Sequence, residues 1–320
     1  MKKILLLILL SFIAFNTNAS TNTSTNTSTN ASIWDKIKAE DLVLFYPGQS
    51  SWEWLLTKHK GAKSVRKGTS CMECHEGEEK EMGETLVTGK KLEANPIKNK
   101  PGSISLKFKS YYDQENLHVL LQWHENVFNS HEKMDKDYKT KITLMIGDEK
   151  VREFPVGGCW GVCHDDATNM RSFKGDKDRN LYTSKSRIKI KRTGGGDNFV
   201  DKDDLAGMLE KGNYLEYWQT AIKSPTEHKT HHGYILEKRN KQKHPSIQSK
   251  LSYNHGMWTV EISRALTPNE QGKINIKEDH LYTVGIALHD DFSKGRFHYI
   301  SLPRSFSLND SNADFTATKK

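Results

Sequence analysis

Residues 103–123 read SISLKFKSYYDQENLHVLLQW, and the spacing of their apolar side chains sets the fold class. Ile104, Leu106 and Phe108 fall at every second position, as do Leu117, Val119, Leu121 and Trp123; the polar residues Asp113, Gln114, Glu115 and Asn116 separate the two runs. Successive strand side chains point to opposite faces, so this pattern predicts a β-hairpin with one apolar face. Similar runs follow at Ile142, Leu144 and Ile146, at 187–191, 233–237 and 247–253, at Trp258, Val260 and Ile262 after an Asn254-His255-Gly256 turn, and at Tyr282, Val284, Ile286 and Leu288. Many short strands with turn signals predict a mainly β chain, with an antiparallel β-sandwich over residues 103–310. Helical spacing is confined to 33–42 and 52–58 before that region and to short pieces at 204–210 and 214–222 within it.

All four cysteines lie in two motifs, Cys71-Met72-Glu73-Cys74-His75 and Cys159-Trp160-Gly161-Val162-Cys163-His164. The first has the spacing of c-type haem attachment, in which two thiols bond the porphyrin and the next histidine coordinates iron. The second has one extra residue, which bulges the loop but keeps Cys163 beside His164. The expectation is two haem c groups, the second attached covalently or held without covalent bonds. A four-thiolate zinc site or disulfides are the rival uses of these cysteines, and both leave His75 and His164 unexplained. Residues 33–102 are too few for a large core, so they read as a small, partly helical c-type haem module in which a haem supplies much of the interior.

Lys2 and Lys3 precede an apolar run ending near Phe15 and then Asn16-Thr17-Asn18-Ala19, the pattern of a secretory signal peptide over residues 1–19. Residues 20–32 form a Thr/Asn/Ser leader expected to be disordered, and 311–320 are expected to be a flexible tail. Export agrees with c-type haem attachment outside the cytoplasm and predicts a periplasmic protein. A mean hydropathy of -0.73 and the lack of a later apolar stretch predict no membrane span in the mature chain. The net charge of +8 falls to +6 when Lys2 and Lys3 are removed, a mild basicity that suits acidic protein partners. No nucleic-acid motif accompanies it.

Fourteen histidines are available as second axial ligands. His59 is nearest the first motif, beside Trp52 and Trp54; the plain alternative is a surface histidine between Lys58 and Lys60. Met82 is a further candidate, whereas Met72 lies inside the attachment loop. For the second motif the candidates are His289, on a strand whose Thr283, Gly285 and Ala287 would let a flat macrocycle approach, His298, on a stripe with Ile300 and Leu302, and Met170. Either histidine has a structural reading as well. His228, His231 and His232 cluster in sequence, but the neighbouring Lys229 favours a solvated surface over a metal site.

The stretch Gly285-Ile286-Ala287-Leu288-His289-Asp290-Asp291, followed by Gly295-Arg296-Phe297-His298-Tyr299-Ile300-Ser301-Leu302-Pro303, resembles the C-terminal motif of the ethylbenzene dehydrogenase-related haem-binding domain family. Tyr217-Trp218-Gln219, Tyr112-Asp113 with Gln122-Trp123, and Trp258-Thr259-Val260-Glu261-Ile262-Ser263-Arg264 resemble it too. The resemblance covers roughly residues 103–308 and implies a β-sandwich holding haem. The best-known relatives are electron-transfer subunits of molybdenum dehydrogenases, with a b-type haem held by Met and Lys. Here His298 matches the Lys position, which implies a His164/His298 pair with His289 in reserve. Leu44-Phe45-Tyr46-Pro47-Gly48-Gln49 with Trp52-Glu53-Trp54 resembles a two-haem branch and supports His59.

The function expected is a periplasmic dihaem cytochrome relaying single electrons between redox proteins, a membrane cytochrome or a molybdenum oxidoreductase among them, without catalysis of its own. The alternatives are a haem enzyme or sensor with one open iron position, and a ligand-binding sandwich. No other catalytic constellation stands out.

Overall fold

The computed structural model describes residues 33–90, 99–126, 137–166, 181–192, 195–196, 198–243, 246–290 and 298–320. The expected signal peptide and leader, Met170, and Asp291 and Gly295-Arg296-Phe297 of the family motif lie outside the described residues. Ile33 and Trp34 open a helical turn closed by Lys36 N–H donating to Ile33 O (3.0 Å), in a unit that ends at Lys36. Residues 37–320 form the second unit.

In chain order that unit contains β1 (Glu40–Phe45), α1 (Trp52–Thr57), α2 (Ala62–Lys67), α3 (Cys71–His75), α4 (Glu79–Val87), β2 (Ser103–Tyr112), β3 (Asn116–His124), β4 (Thr140–Gly147) and α5 (Glu153–Gly157). A 3-10 turn (Gly158–Val162), a second (Ser184–Ser186), α6 (Lys202–Glu210), β5 (Leu215–Ser224), β6 (Glu227–Ile235), β7 (Arg239–Lys241), β8 (Ile247–Asn254), β9 (Met257–Ala265) and β10 (Tyr282–His289) follow. The chain closes with β11 (Tyr299–Ile300), β12 (Arg304–Ser307), β13 (Phe315–Thr316) and β14 (Thr318–Lys319). The protein is mainly β: these 14 strands join in one sheet of order β7-β6-β5-β4-β10-β11-β1-β2-β3-β9-β8, with β12, β13 and β14 attached at its side. Pairing is antiparallel except at β12–β13 and β14–β2.

The predicted hairpin is β2–β3, in register from Leu106 opposite Trp123 to Tyr112 opposite Leu117. Asp113 Oδ1 holds its turn by accepting from Glu115 N–H (2.9 Å) and Asn116 N–H (2.8 Å). Four local expectations are overturned. Helical spacing at 33–42 gives way to β1, whose Leu42 and Leu44 enter the main core. Residues 214–222 form β5 in place of a helix, and every side chain from Leu215 to Ile222 is buried. Trp218 and Ile222 face one apolar cluster, Leu215 and Tyr217 another, and a strand covered on both faces has no alternation to read. At 187–191 a single bridge, Arg187 to Phe199, stands where a strand is expected. The terminal residues expected as a flexible tail carry β13 and β14, with Phe315 and Ala317 buried.

The sheet folds back on itself. Glu216 on β5 and Arg264 on β9, strands remote in sheet order, make a buried ion pair of 2.6 Å; Thr230 on β6 and Ser249 on β8 meet at 2.6 Å. One cluster fills the interior with Trp123, Trp218, Trp258 and the Val284, Ile286 and Leu288 face of β10. The opposite face of β10, at Ala287, joins a second cluster with Phe45, Cys71, Cys159, Cys163 and Leu302. That second cluster brings the two cysteine motifs together.

Lys100 is buried, with its ammonium 3.9 Å from the centre of the Tyr299 ring. Burial pushes its pKa down to about 7, partly opposed by the charge of Asp290. Between that value and the ordinary lysine range only the unfolded chain binds the proton, so the desolvation cost is full at low pH and fades as pH rises. Lys100→Met is therefore expected to raise Tm at about pH 6 and to lose that gain toward about pH 10, each displaced unit being worth about 1.4 kcal/mol. Equal gains at both pH values in thermal unfolding would contradict this.

Candidate haem-binding site

Ser70 starts α3 with a capping box: its hydroxyl accepts from Met72 N–H (3.4 Å) and its N–H donates to Glu73 Oε1 (2.7 Å). One helical turn puts Cys71, Cys74 and His75 on one side, at positions i, i+3 and i+4. Cys71 is buried and Cys74 exposed. His75 Nδ1 lies 2.8 Å from Glu78 Oε2. A proton held there by the carboxylate leaves the Nε2 lone pair for a metal.

Across a cleft of about 290 Å³ lies His59, with Met82 and Trp160 also in the wall. The His59 and His75 ring centres are 5.9 Å apart, with planes at 60°. With metal–imidazole bonds of about 2 Å on each side, two imidazoles shared by one metal would have centres about 6 Å apart, and the observed separation is compatible with that. Gly61 N–H donates to His59 Nδ1 (3.1 Å). Ligation through Nε2 requires a proton on Nδ1, so that hydrogen bond and metal binding are mutually exclusive.

The second motif is built on close backbone packing. Gly158 has φ 54°, and a Cβ at Gly161 would lie 2.7 Å from the Glu153 carbonyl oxygen, so the extra residue of the motif is accommodated at a glycine. Cys159 packs against β10, where a Cβ on Gly285 would meet its Sγ at 3.3 Å. His164 is fully buried, stacked on Tyr182 (centres 3.9 Å apart, planes at 2°), with Nδ1 hydrogen-bonded to Glu53 Oε1. Glu53 Oε2 accepts from Asp165 N–H (3.0 Å). His164 Nε2 is buried without a hydrogen-bond partner. A carboxylate on one ring nitrogen and an unsatisfied buried nitrogen on the other is the arrangement of a metal-ligating histidine. The residues of both motifs therefore fit haem.

The two motifs share a wall. Trp52 N–H donates to Cys163 O (2.7 Å), Trp160 Nε1–H to Ser50 Oγ (2.9 Å) and Ser70 Oγ to Pro155 O (3.1 Å). Trp160, from inside the second motif, lines the cleft of the first. Burial pushes the Cys71 thiol up to about 11 and the Cys159 thiol up to about 12, each reinforced by its companion cysteine. These sites penalise a thiolate; a neutral thioether carries no such cost. None of the four cysteines is in a disulfide, and the described group of three or more potential ligands close enough to share an ion is Asp148, Glu149 and His280. A four-cysteine zinc site is not assembled.

His298 is brought to His289: their rings are 4.7 Å apart at 29°. Strand alternation places both on the Ala287/Ile300 side of β10 and β11, the side of the second cluster. His228, His231 and His232 alternate along β6 and form no cluster; His228 contacts Ser249 O (3.1 Å) and His232 contacts Lys273 (2.8 Å). The sequence reading missed the roles of Glu53, Glu78 and Tyr182. Glu78 had a signal, lying three residues past His75; Glu53 is 111 positions from its histidine and had none.

The family model described as ethylbenzene dehydrogenase matches residues 31–301, and the chain belongs to that family. It is 34% identical over 295 residues to cytochrome c-552 of Stutzerimonas stutzeri, covering 90% of each chain. It is 24% identical over 294 residues to cytochrome c-551 of Rhodocyclus tenuis, covering 90% of this chain and 99% of that one. Among solved structures, a family 9 carbohydrate-binding module from Caldicellulosiruptor kristjanssonii, in complex with cellotriose, aligns over 66% of this chain and 67% of its own. Its TM-score is 0.28 and its identity 11%, and no argument rests on it. Among the described residues no helix is long and apolar enough to cross a membrane.

Proposed function

We propose that the chain is a periplasmic dihaem c-type cytochrome that passes single electrons between redox proteins, built as a haem module (33–102) on a β-sandwich (103–310). The observation carrying this reading is the His59–His75 pair, 5.9 Å apart beside Cys71 in one cleft. The buried, unpartnered His164 Nε2 supports a second centre, and relatives named as cytochromes support the role. Haem supplies a one-electron couple; this chain's residues set its ligands and surroundings. Cys71 and Cys74 would anchor the first group, with His75 and His59 as axial ligands. Cys159 and Cys163 would anchor the second, with His164 and His298 as ligands and His289 packed against His298. A membrane cytochrome or a molybdenum oxidoreductase is the partner class the family implies.

Pyridine haemochrome and denaturing mass spectrometry on protein matured by a cytochrome c assembly strain test the count. Two haems retained after denaturation are expected; one would mean that the second is held without covalent bonds or is missing. His298→Ala should disturb the low-spin spectrum of one haem, and an unaltered spectrum at both would defeat that ligand assignment. A second reading, a haem sensor or enzyme, has one observation in its favour: the Gly61–His59 hydrogen bond competes with ligation. Rapid carbon monoxide binding to the reduced wild-type protein would select it.

A further inference from the structure

The run Gly194-Gly195-Gly196 is too short for a phosphate loop and lacks the Lys-Ser/Thr that would follow one. Its described residues, Gly195 and Gly196, lie instead against a buried stack of planar groups. His164 and Tyr182 are fully buried, and their rings are parallel with centres 3.9 Å apart. The buried Arg187 guanidinium lies 3.6 Å from the centre of the same Tyr182 ring. His164 already fills one face at that distance, so the guanidinium covers the other.

Backbone groups hold this stack in place. Gly196 N–H donates to Tyr182 Oη (2.8 Å), and Gly196 O accepts from Arg187 Nε (2.8 Å). Arg187 Nη1 donates to Glu237 O (3.1 Å) and Thr183 N–H to Leu236 O (2.8 Å), which ties the segment to the chain just past β6. Gly195 has φ 47°, and a Cβ there would lie 2.5 Å from both Tyr182 Oη and Asp166 Oδ1, far inside van der Waals contact. The loop therefore reaches the tyrosine hydroxyl only because residue 195 has no side chain.

An imidazole bound to a metal through Nε2 can turn about that bond. Nδ1 lies close to the axis of the turn, so the hydrogen bond from His164 to Glu53 limits it less than a ring stacked on the imidazole face does. A group that orients a ligating histidine in this way tunes the metal it holds.

We propose that Tyr182 is the positioning residue of His164, and that Gly195 and Gly196 form the backbone clamp that holds it, so that the imidazole keeps one orientation about its bond to iron. This rests on the reading of the second motif as a haem site. The g values of a low-spin ferric haem follow the orientation of its axial imidazole planes, so low-temperature EPR of the oxidised full-length holoprotein reads the clamp directly. Tyr182→Leu should shift the g values of the second-site haem and leave those of the first unchanged. Tyr182→Phe keeps the stacked ring and should give near-wild-type values. Gly195→Ala should shift the same signal as Tyr182→Leu, although it lies outside both haem motifs. An intact first-site signal shows that each variant has folded. Second-site g values unmoved in Tyr182→Leu or in Gly195→Ala, or moved as far by Tyr182→Phe, would overturn the proposal. A wild-type protein retaining one haem would instead overturn the dihaem reading. The clamp is then read from the His164 ring protons in NMR of the reduced protein: the ring current of Tyr182 should displace them and Tyr182→Leu should release them. Identical shifts in the two proteins would overturn the clamp.

Discussion

Glu53→Ala is expected, with a haem held by the second motif as proposed, to raise the reduction potential of that haem and to weaken the attachment of its iron to His164. His164 has no exposure to water, and Glu53 is its hydrogen-bond partner at Nδ1. A carboxylate there makes the imidazole a more basic ligand and favours the more positive, oxidised iron. Removing such a partner typically costs about 10–100-fold in metal affinity or activity. Applied to the oxidised over the reduced state, that range corresponds to a rise of about 60–120 mV for one electron. Potentiometric titration of wild type, Glu53→Ala and Glu53→Gln tests it, with the amide intermediate because it can still orient the ring. The first-motif haem should keep its potential to a first approximation. A second-site potential unmoved in Glu53→Ala would show that the contact does not tune the iron.

Glu216→Ala is expected to cost about 3–5 kcal/mol of stability, because it leaves buried cations without their partner. Glu216 has no exposure; Arg264 Nη2 donates to it (2.6 Å), Lys273 Nζ lies 3.2 Å away, Trp218 Nε1 donates (2.7 Å) and so does Ile274 N–H (2.8 Å). Burial alone raises the carboxyl pKa; Arg264 and Lys273 outweigh it and hold the group below the usual range. A depressed native pKa adds stability above the unfolded value and loses it as pH falls through the native one, so the wild type should destabilise in acid. Denaturant unfolding should show the alanine variant weakened at neutral pH and less sensitive to acid than the wild type. Near-wild-type stability would mean that the ion pair does not tie the folded-back sheet together. Because β5 also carries Tyr217 and Leu215 into the cluster around Cys159 and Cys163, this loss should reach the second site as well.

The two Cys-His motifs and the 103–123 hairpin were legible because their information is local. A helical turn aligns Cys71, Cys74 and His75 whatever the rest of the chain does, and alternation marks a strand with one buried face. β5 was misread because it is buried on both faces, so its side chains carry no period. β1 was misread because pairing with β2, some sixty positions away, decides its conformation. The third axial candidate, Met170, lies outside the described residues.

By itself the sequence carried the Cys-His pattern of each motif, the β character of the chain and the small-residue face of β10. Tertiary structure decided which groups meet: Glu53 with His164, Trp160 with the first cleft, and Tyr182 with both His164 and Arg187. Side-chain spacing along a strand or helix follows from backbone geometry and is written in neighbouring residues. Contacts between positions more than a hundred residues apart depend on how the sheet folds back, and only the packed interior sets that.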